Sequence, residues 1–215
     1  MAKTPVAFPS EVGTKPTSTR QALLEAAIAE LTSRPEAEFR VENILAATGA
    51  SFSSLYHHFG NREGLIIEAQ IAVFKSPIAQ DLVPFTAAAA KISNADELKE
   101  VLAVAVSAAS RAENAKARAA QLAILSAANS RPLLAEAIAK EQAEVTSQIA
   151  AAFDGLSERG VIDPQVDTRL IGQYMQATIL GQSVLDLGAG PLDLTAYQDL
   201  LLKTLLALIW PTGAH

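Results

Sequence analysis

The 215-residue chain predicts an all-α fold of about nine helices, on three observations. Apolar residues recur at three- and four-residue spacings, and no segment alternates apolar and polar as a half-buried strand would. Alanine dominates a composition that is 50% hydrophobic but only 5% aromatic, which suits helices packed through small side chains. Prolines, glycines and capping residues cut the pattern into helix-length pieces, and no internal repeat is visible.

Residues 1–16 hold three of the ten prolines and no apolar period, so they read as a disordered tail. A first helix is expected from Thr19 to Ser33, with Leu24, Ala27, Ile28 and Leu31 on its buried stripe and Pro35 ending it. A second spans Val41 to Thr48 and is closed by Gly49, which adopts the left-handed conformation at little steric cost. Ser51 caps a short third helix, Phe52 to Phe59, in which Leu55 and Phe59 lie four residues apart and face one way. Asn61 caps a fourth from Arg62 to Phe74, and Pro77 and Pro84 mark the exit from this first unit. Residues 17–75 thus form one domain and residues 76–215 a larger one. In the larger domain Asn94-Ala95-Asp96-Glu97 opens a helix to about Arg111. Helices near Ala115 to Ala128 and Pro132 to Arg159 follow, the second with proline in its first turn and Gly160 as its stop. Asp163-Pro164 turns the chain into a helix from Gln165 to about Leu187. The loop Gly188-Ala189-Gly190-Pro191 then precedes a last helix, Thr195 to Ile209.

Composition removes several classes of function. There is no cysteine, hence no disulfide, thiolate metal site or cysteine nucleophile, which fits a reducing cytoplasm. The N-terminal stretch lacks the apolar block of a signal peptide, and no apolar run reaches membrane-spanning length. The net charge of −6 opposes whole-molecule attraction to nucleic acid. Residues 1–75 carry seven Lys or Arg against eight Asp or Glu, so DNA binding there must depend on where the charges sit.

The stretch from Ala46 to Leu65 concentrates the functional signal. A helix stop, a tight glycine turn, a short polar-faced helix and a second helix start follow within twenty positions. That layout carries a row of side chains into the major groove of DNA. Arg20, the run Leu23-Leu24-Glu25-Ala26-Ala27, Val41, Ile44, Ala47, Gly49 and Ser51 belong to a wider pattern. It continues through Leu55-Tyr56-His57-His58-Phe59, Asn61-Arg62-Glu63 and Leu65. From Thr19 to about Ala69 the chain resembles the N-terminal DNA-binding domain of the TetR family of bacterial transcriptional regulators.

The resemblance implies a three-helix helix-turn-helix domain followed by a helical ligand-binding and dimerisation domain. Tyr56 falls where a phenolic hydroxyl meets a phosphate, and Arg62 where a lysine does so from a helix start. Ser51, Phe52, Ser53, Ser54, His57 and His58 fill positions facing bases or the flanking backbone. Phe52 departs from the usual lysine, glutamine or arginine, but packs on a thymine methyl. Phe39-Arg40 replaces a threonine pair, leaving Arg40 for a phosphate, and Pro35 and Glu36 replace a glycine and an aromatic.

The expected partners are a double-stranded operator, a second copy of the chain and a small apolar ligand, with no membrane. In the last two helices, Leu170, Ile179, Leu185, Tyr197, Leu201, Leu205 and Leu208 offer apolar faces, which the resemblance assigns to a homodimer interface. Plain core is the alternative for these residues. Gly172, Ala177 and Gly181 would allow close helix approach. Gln121, Asn129, Gln148, Tyr174 and Gln176 are the groups that would orient a ligand in an enclosed cavity of roughly 300 Å³ or more, or else are exposed helix positions. No cofactor is expected. Adjacent His57 and His58 point about 100° apart on a helix and do not chelate a metal together. No motif for catalysis is present. The expected function is a dimeric, ligand-responsive repressor of a palindromic operator. The alternatives are an activator or ligand-independent regulator of the same fold, and an all-helical carrier or enzyme with a merely structural helix-turn-helix.

Overall fold

The computed structural model describes residues 18–188 and 192–210, and among these the chain forms nine α-helices and no strand. The tail of residues 1–16, most of the loop ending at Pro191, and His215 lie outside the described residues. The chain divides into two compact units, the second beginning at Gln70.

In the first unit, α1 (Thr19–Ser33), α2 (Val41–Thr48), α3 (Phe52–Phe59) and the start of α4 (Arg62–Ala89) enclose an apolar core. Each boundary has a local cause. The Ser18 hydroxyl accepts from the Gln21 N–H at 3.2 Å, starting α1. Gly49 closes α2 at φ 70°, and Ser51 starts α3 by accepting from the Ser54 N–H. Asn61 accepts from the Gly64 N–H at 2.8 Å and caps α4. Leu23 and Ala27 are the fully buried residues of α1, so the deepest stripe is rotated from the expected Leu24, Ile28 and Leu31, which pack at its edge. Phe39, buried from the short 3₁₀ turn's end, supplies an aromatic that the sequence reading did not place in the core.

One expectation fails clearly. Pro77 and Pro84 do not end the fourth helix but lie inside α4, which continues to Ala89. A proline in a helix withholds one N–H and crowds the carbonyl four residues back. Here Leu82, Phe85 and Ala89 are buried in the second core, and their packing outweighs the local penalty. Gln121 also donates to the Phe74 carbonyl, three residues before Pro77, at 2.8 Å.

The second unit adds α5 (Ala95–Ala109), α6 (Ala115–Ala128), α7 (Pro132–Glu158), α8 (Thr168–Asp186) and α9 (Leu194–Ile209). Asn94, Asp167 and Asp193 cap α5, α8 and α9 by accepting from backbone N–H groups. Val145, Ile149, Phe153 and Leu156 of α7 form the spine of the core, against Leu98 and Leu102 of α5, Ile171 of α8 and Leu205 and Ile209 of α9. Gly172 permits α8 to approach α7: a Cβ there would sit 3.0 Å from the Thr146 carbonyl. Arg159 donates to the Ala89 and Ile92 carbonyls at 2.7 and 3.1 Å, closing the end of α4.

Candidate nucleic-acid interface and interior cavity

The two faces of α3 have opposite chemistry because its apolar residues fall four apart. Leu55 and Phe59 are buried in the first core. Phe52, Ser53, Tyr56 and His57 are exposed, Tyr56 at 54% and Phe52 at 49%, while Ser54 and His58 are half-buried and Ser51 is exposed at the cap. A phenylalanine and a tyrosine side by side on the surface of a small unit leave apolar area unfilled, as a recognition surface does. The His57 and His58 rings meet edge to face at 5.0 Å, and among the described residues no three metal-ligating side chains cluster.

The arginines around this face differ in their engagement. Arg20 pairs with Glu68 and lies over the Phe59 ring, holding α1 to α4. Arg62 lies over the Phe39 ring, 5.4 Å from its centre, and donates to the Phe39 carbonyl at 3.3 Å. It therefore braces the turn after α1, where Phe39 stands in place of a threonine. Arg40 is exposed and makes no side-chain hydrogen bond among the described residues.

Gly64 is a position that sequence reasoning missed. A Cβ there would lie 2.1 Å from the Phe59 carbonyl oxygen, so only glycine lets the first turn of α4 pass the end of α3. A glycine in the first turn of a helix, where no turn requires it, was the available signal.

The second unit contains an apolar cavity of about 150 Å³, half the size expected. Gln121, Tyr174 and Gln176 line it as anticipated. Asn129 and Gln148 do not. Asn129 is exposed at the end of α6, and Gln148 is exposed and bonded to Glu144 on its own helix face. Missing from the sequence reading were Asp81, Asn114, Arg118 and Gln182. Arg118 is 2% exposed and holds Asp186 with two hydrogen bonds, of 2.7 and 2.8 Å. It also donates to the Ala109 and Arg111 carbonyls. Asn114 and Gln182 donate to those of Ala108 and Ser110, so carbonyls at and just after the C-terminal end of α5 are capped from the turn before α6, from α6 and from α8. Burial raises the Asp81 carboxyl above its ordinary pKa, opposed by Arg111 at 3.6 Å.

The expected interface residues also separate. Leu170, Leu185 and Leu208 are exposed, joined by Val184, Leu187 and Leu200. Leu205 is 5% exposed and belongs to its own unit's core, while Ile179 and Leu201 line the cavity and Tyr197 is half-buried. The outward stripe is rotated by one residue because Leu205 and Ile209 face α7 and α5. Ala177 and Gly181 lie on that outer stripe, beside a shallow groove lined by Leu170, Gln173 and Leu208.

A helix-turn-helix unit with an exposed, polar-aromatic third helix defines a DNA-binding regulator by class. Residues 23–69 match the model of the bacterial regulatory proteins, tetR family, and the chain carries that family's DNA-binding domain. The fold as a whole is similar to a candidate TetR-family transcriptional regulator from Mesorhizobium loti (TM-score 0.67, 19% identity, 90% of this chain and 98% of that one). It is also similar to GusR of Salmonella enterica (TM-score 0.65, 20% identity, 92% and 98%) and to the fatty acid degradation regulator FadR of Bacillus halodurans (TM-score 0.59, 18% identity, 94% and 100%). No curated protein sequence matches the chain. Among the described residues no helix is long and apolar enough to cross a membrane.

Proposed function

We propose that the chain is a homodimeric repressor that reads a palindromic operator with α3 and responds to a small ligand in the second unit. The observation that carries the DNA reading is the exposed row Phe52, Ser53, Tyr56 and His57 on a helix anchored by Leu55 and Phe59. Tyr56 and Arg40 serve phosphates, Phe52, Ser53, Ser54 and His57 serve base edges, and Ser51 and His58 flank them. Arg62 supports the same face while bracing the Phe39 turn. Dimerisation uses the outer stripe of α8 and α9, with Leu170, Val184, Leu185, Leu200 and Leu208 burying at least roughly 1,000 Å².

Selection of operator sequences from a random pool tests this reading. The recovered sites are expected to be palindromic, and Tyr56→Phe to weaken binding to all of them about tenfold by removing one phosphate hydrogen bond. Selection that yields no common sequence would sink it. Light scattering showing a species of twice 22.6 kDa, converted to monomer by Val184→Asp, checks the dimer. A second reading, a regulator without a ligand, is favoured by the small cavity. It is distinguished by operator affinity that no cavity-sized molecule changes.

A further inference from the structure

The amides around the cavity are fixed in one orientation. The Gln121 amide nitrogen lies 2.8 Å from the Phe74 carbonyl, and that of Gln182 lies 2.8 Å from the Ser110 carbonyl. A carbonyl only accepts, so the atom facing it must be nitrogen, and each amide's orientation follows from its partner. Neither oxygen accepts a hydrogen bond among the described residues, on side chains 5% and 2% exposed. Asn114 repeats the arrangement, its nitrogen 3.0 Å from the Ala108 carbonyl. The one buried cation on the wall, Arg118, is occupied by Asp186 and two main-chain carbonyls. Asp81 adds a half-buried carboxylate whose salt-bridge partner, Arg111, stands 3.6 Å away. Half-buried Gln142 and Tyr174 keep donors of their own. The fully buried polar surface is nonetheless rich in acceptors and offers no unoccupied positive charge.

An apolar cavity of about 150 Å³ holds a single benzene-sized molecule. We propose that this cavity takes a small apolar molecule, one substituted ring in size, that donates a hydroxyl or amino hydrogen to the Gln121 or Gln182 oxygen, and that it excludes carboxylates. A carboxylate here would face amide oxygens and Asp81 in a poorly solvated space, with no free cation to offset the repulsion. A ring without a donor fills the volume but gives the two amide oxygens no hydrogen bond. The proposal rests on the ligand-responsive reading and names the chemistry of that response.

Four probes of matched size separate the possibilities: toluene, phenol, benzylamine and benzoate, titrated against the full chain by calorimetry. Phenol or benzylamine is expected to bind about tenfold more tightly than toluene, with benzoate giving no heat. Asp81→Asn distinguishes the two donors, lowering benzylamine affinity about tenfold and leaving phenol within about twofold. Ala105→Leu fills the cavity and is expected to abolish all binding. Toluene or benzoate binding as tightly as phenol would overturn the proposal and leave the ligand-responsive reading standing. Binding that survives Ala105→Leu, or no binding by any probe, overturns it as well. Phenol that binds as expected without changing operator affinity supports the cavity chemistry and sinks the ligand-responsive reading instead.

Discussion

The two interiors of this chain are built differently. Among the described residues every buried side chain of the first unit is apolar, from Leu23 and Ala27 through Phe39, Leu55 and Leu65 to Ala69. The second unit buries Gln70, Ser110, Arg118, Gln121, Thr146, Gln182 and Ser183 besides a larger apolar core, and it holds a partly open cavity. A close-packed, wholly apolar core favours one arrangement of its helices. A core that contains amides, a buried arginine paired with a more exposed aspartate, and empty volume has groups whose partners can be exchanged. On the function proposed above, the difference suits one unit to presenting a fixed surface and the other to answering a bound molecule.

The largest effect that sharpens this contrast is expected from Arg118→Met, which removes the partner of Asp186 and uncaps the Ala109 carbonyl at the end of α5 and the Arg111 carbonyl just after it. Urea unfolding of the second unit is expected to lose about 2 to 5 kcal/mol, chiefly from the carbonyls left without a donor, and pairing the change with Asp186→Leu to recover little of it. A double variant that regains most of the loss would show that the ion pair, not the carbonyl caps, carries the effect. Leu55→Ala in the first unit is expected to cost about 2 to 5 kcal/mol as a cavity in a core with no polar group to rearrange. Gly64→Ala is expected to cost about 1 to 3 kcal/mol by pressing a methyl against the Phe59 carbonyl. It should also lower operator affinity, since α3 must shift; unchanged stability and binding would refute the close approach.

The smallest effect is a pH dependence. Asp81 has its pKa raised by burial from the usual 3.8, with Arg111 opposing. A raised carboxyl favours the protonated folded state, so its contribution is fully present below about pH 3.8 and is lost as pH rises through the raised value. The urea midpoint of Asp81→Asn should therefore gain on that of the natural chain between about pH 3 and 7. The opposite slope would mean that Arg111 outweighs burial.

How much of this was legible in the sequence depends on the range of the forces involved. Gly49, Ser51, Asn61, Asn94 and Gly160 act within one turn of chain, and the helix boundaries they set agree with the structure. Pro77 and Pro84 are equally local signals, but packing of Leu82 and Phe85 from distant helices overrode them. Leu205 was assigned to an outer face because a helix apolar on several sides does not disclose which side meets its own core. The exposed face of α3 was readable because it sits on a short helix with only two apolar anchors. The Arg118 cluster was not, since Asp186 lies 68 residues away and nothing local links the two. Asn129 and Gln148 failed for a related reason: a polar residue in an alanine-rich helix has no signature of the direction it faces.

The division of α3 into a buried pair and an exposed row has a consequence for change over time. Substitutions at sites without shared contacts add nearly independently, within about 0.3 to 0.5 kcal/mol. Phe52, Ser53, Tyr56 and His57 stand apart from the core that Leu55 and Phe59 anchor. The outward residues are thus free to drift, or to be randomised in a library, with little penalty in folding. Sequence preference and stability become separable traits on one eight-residue helix.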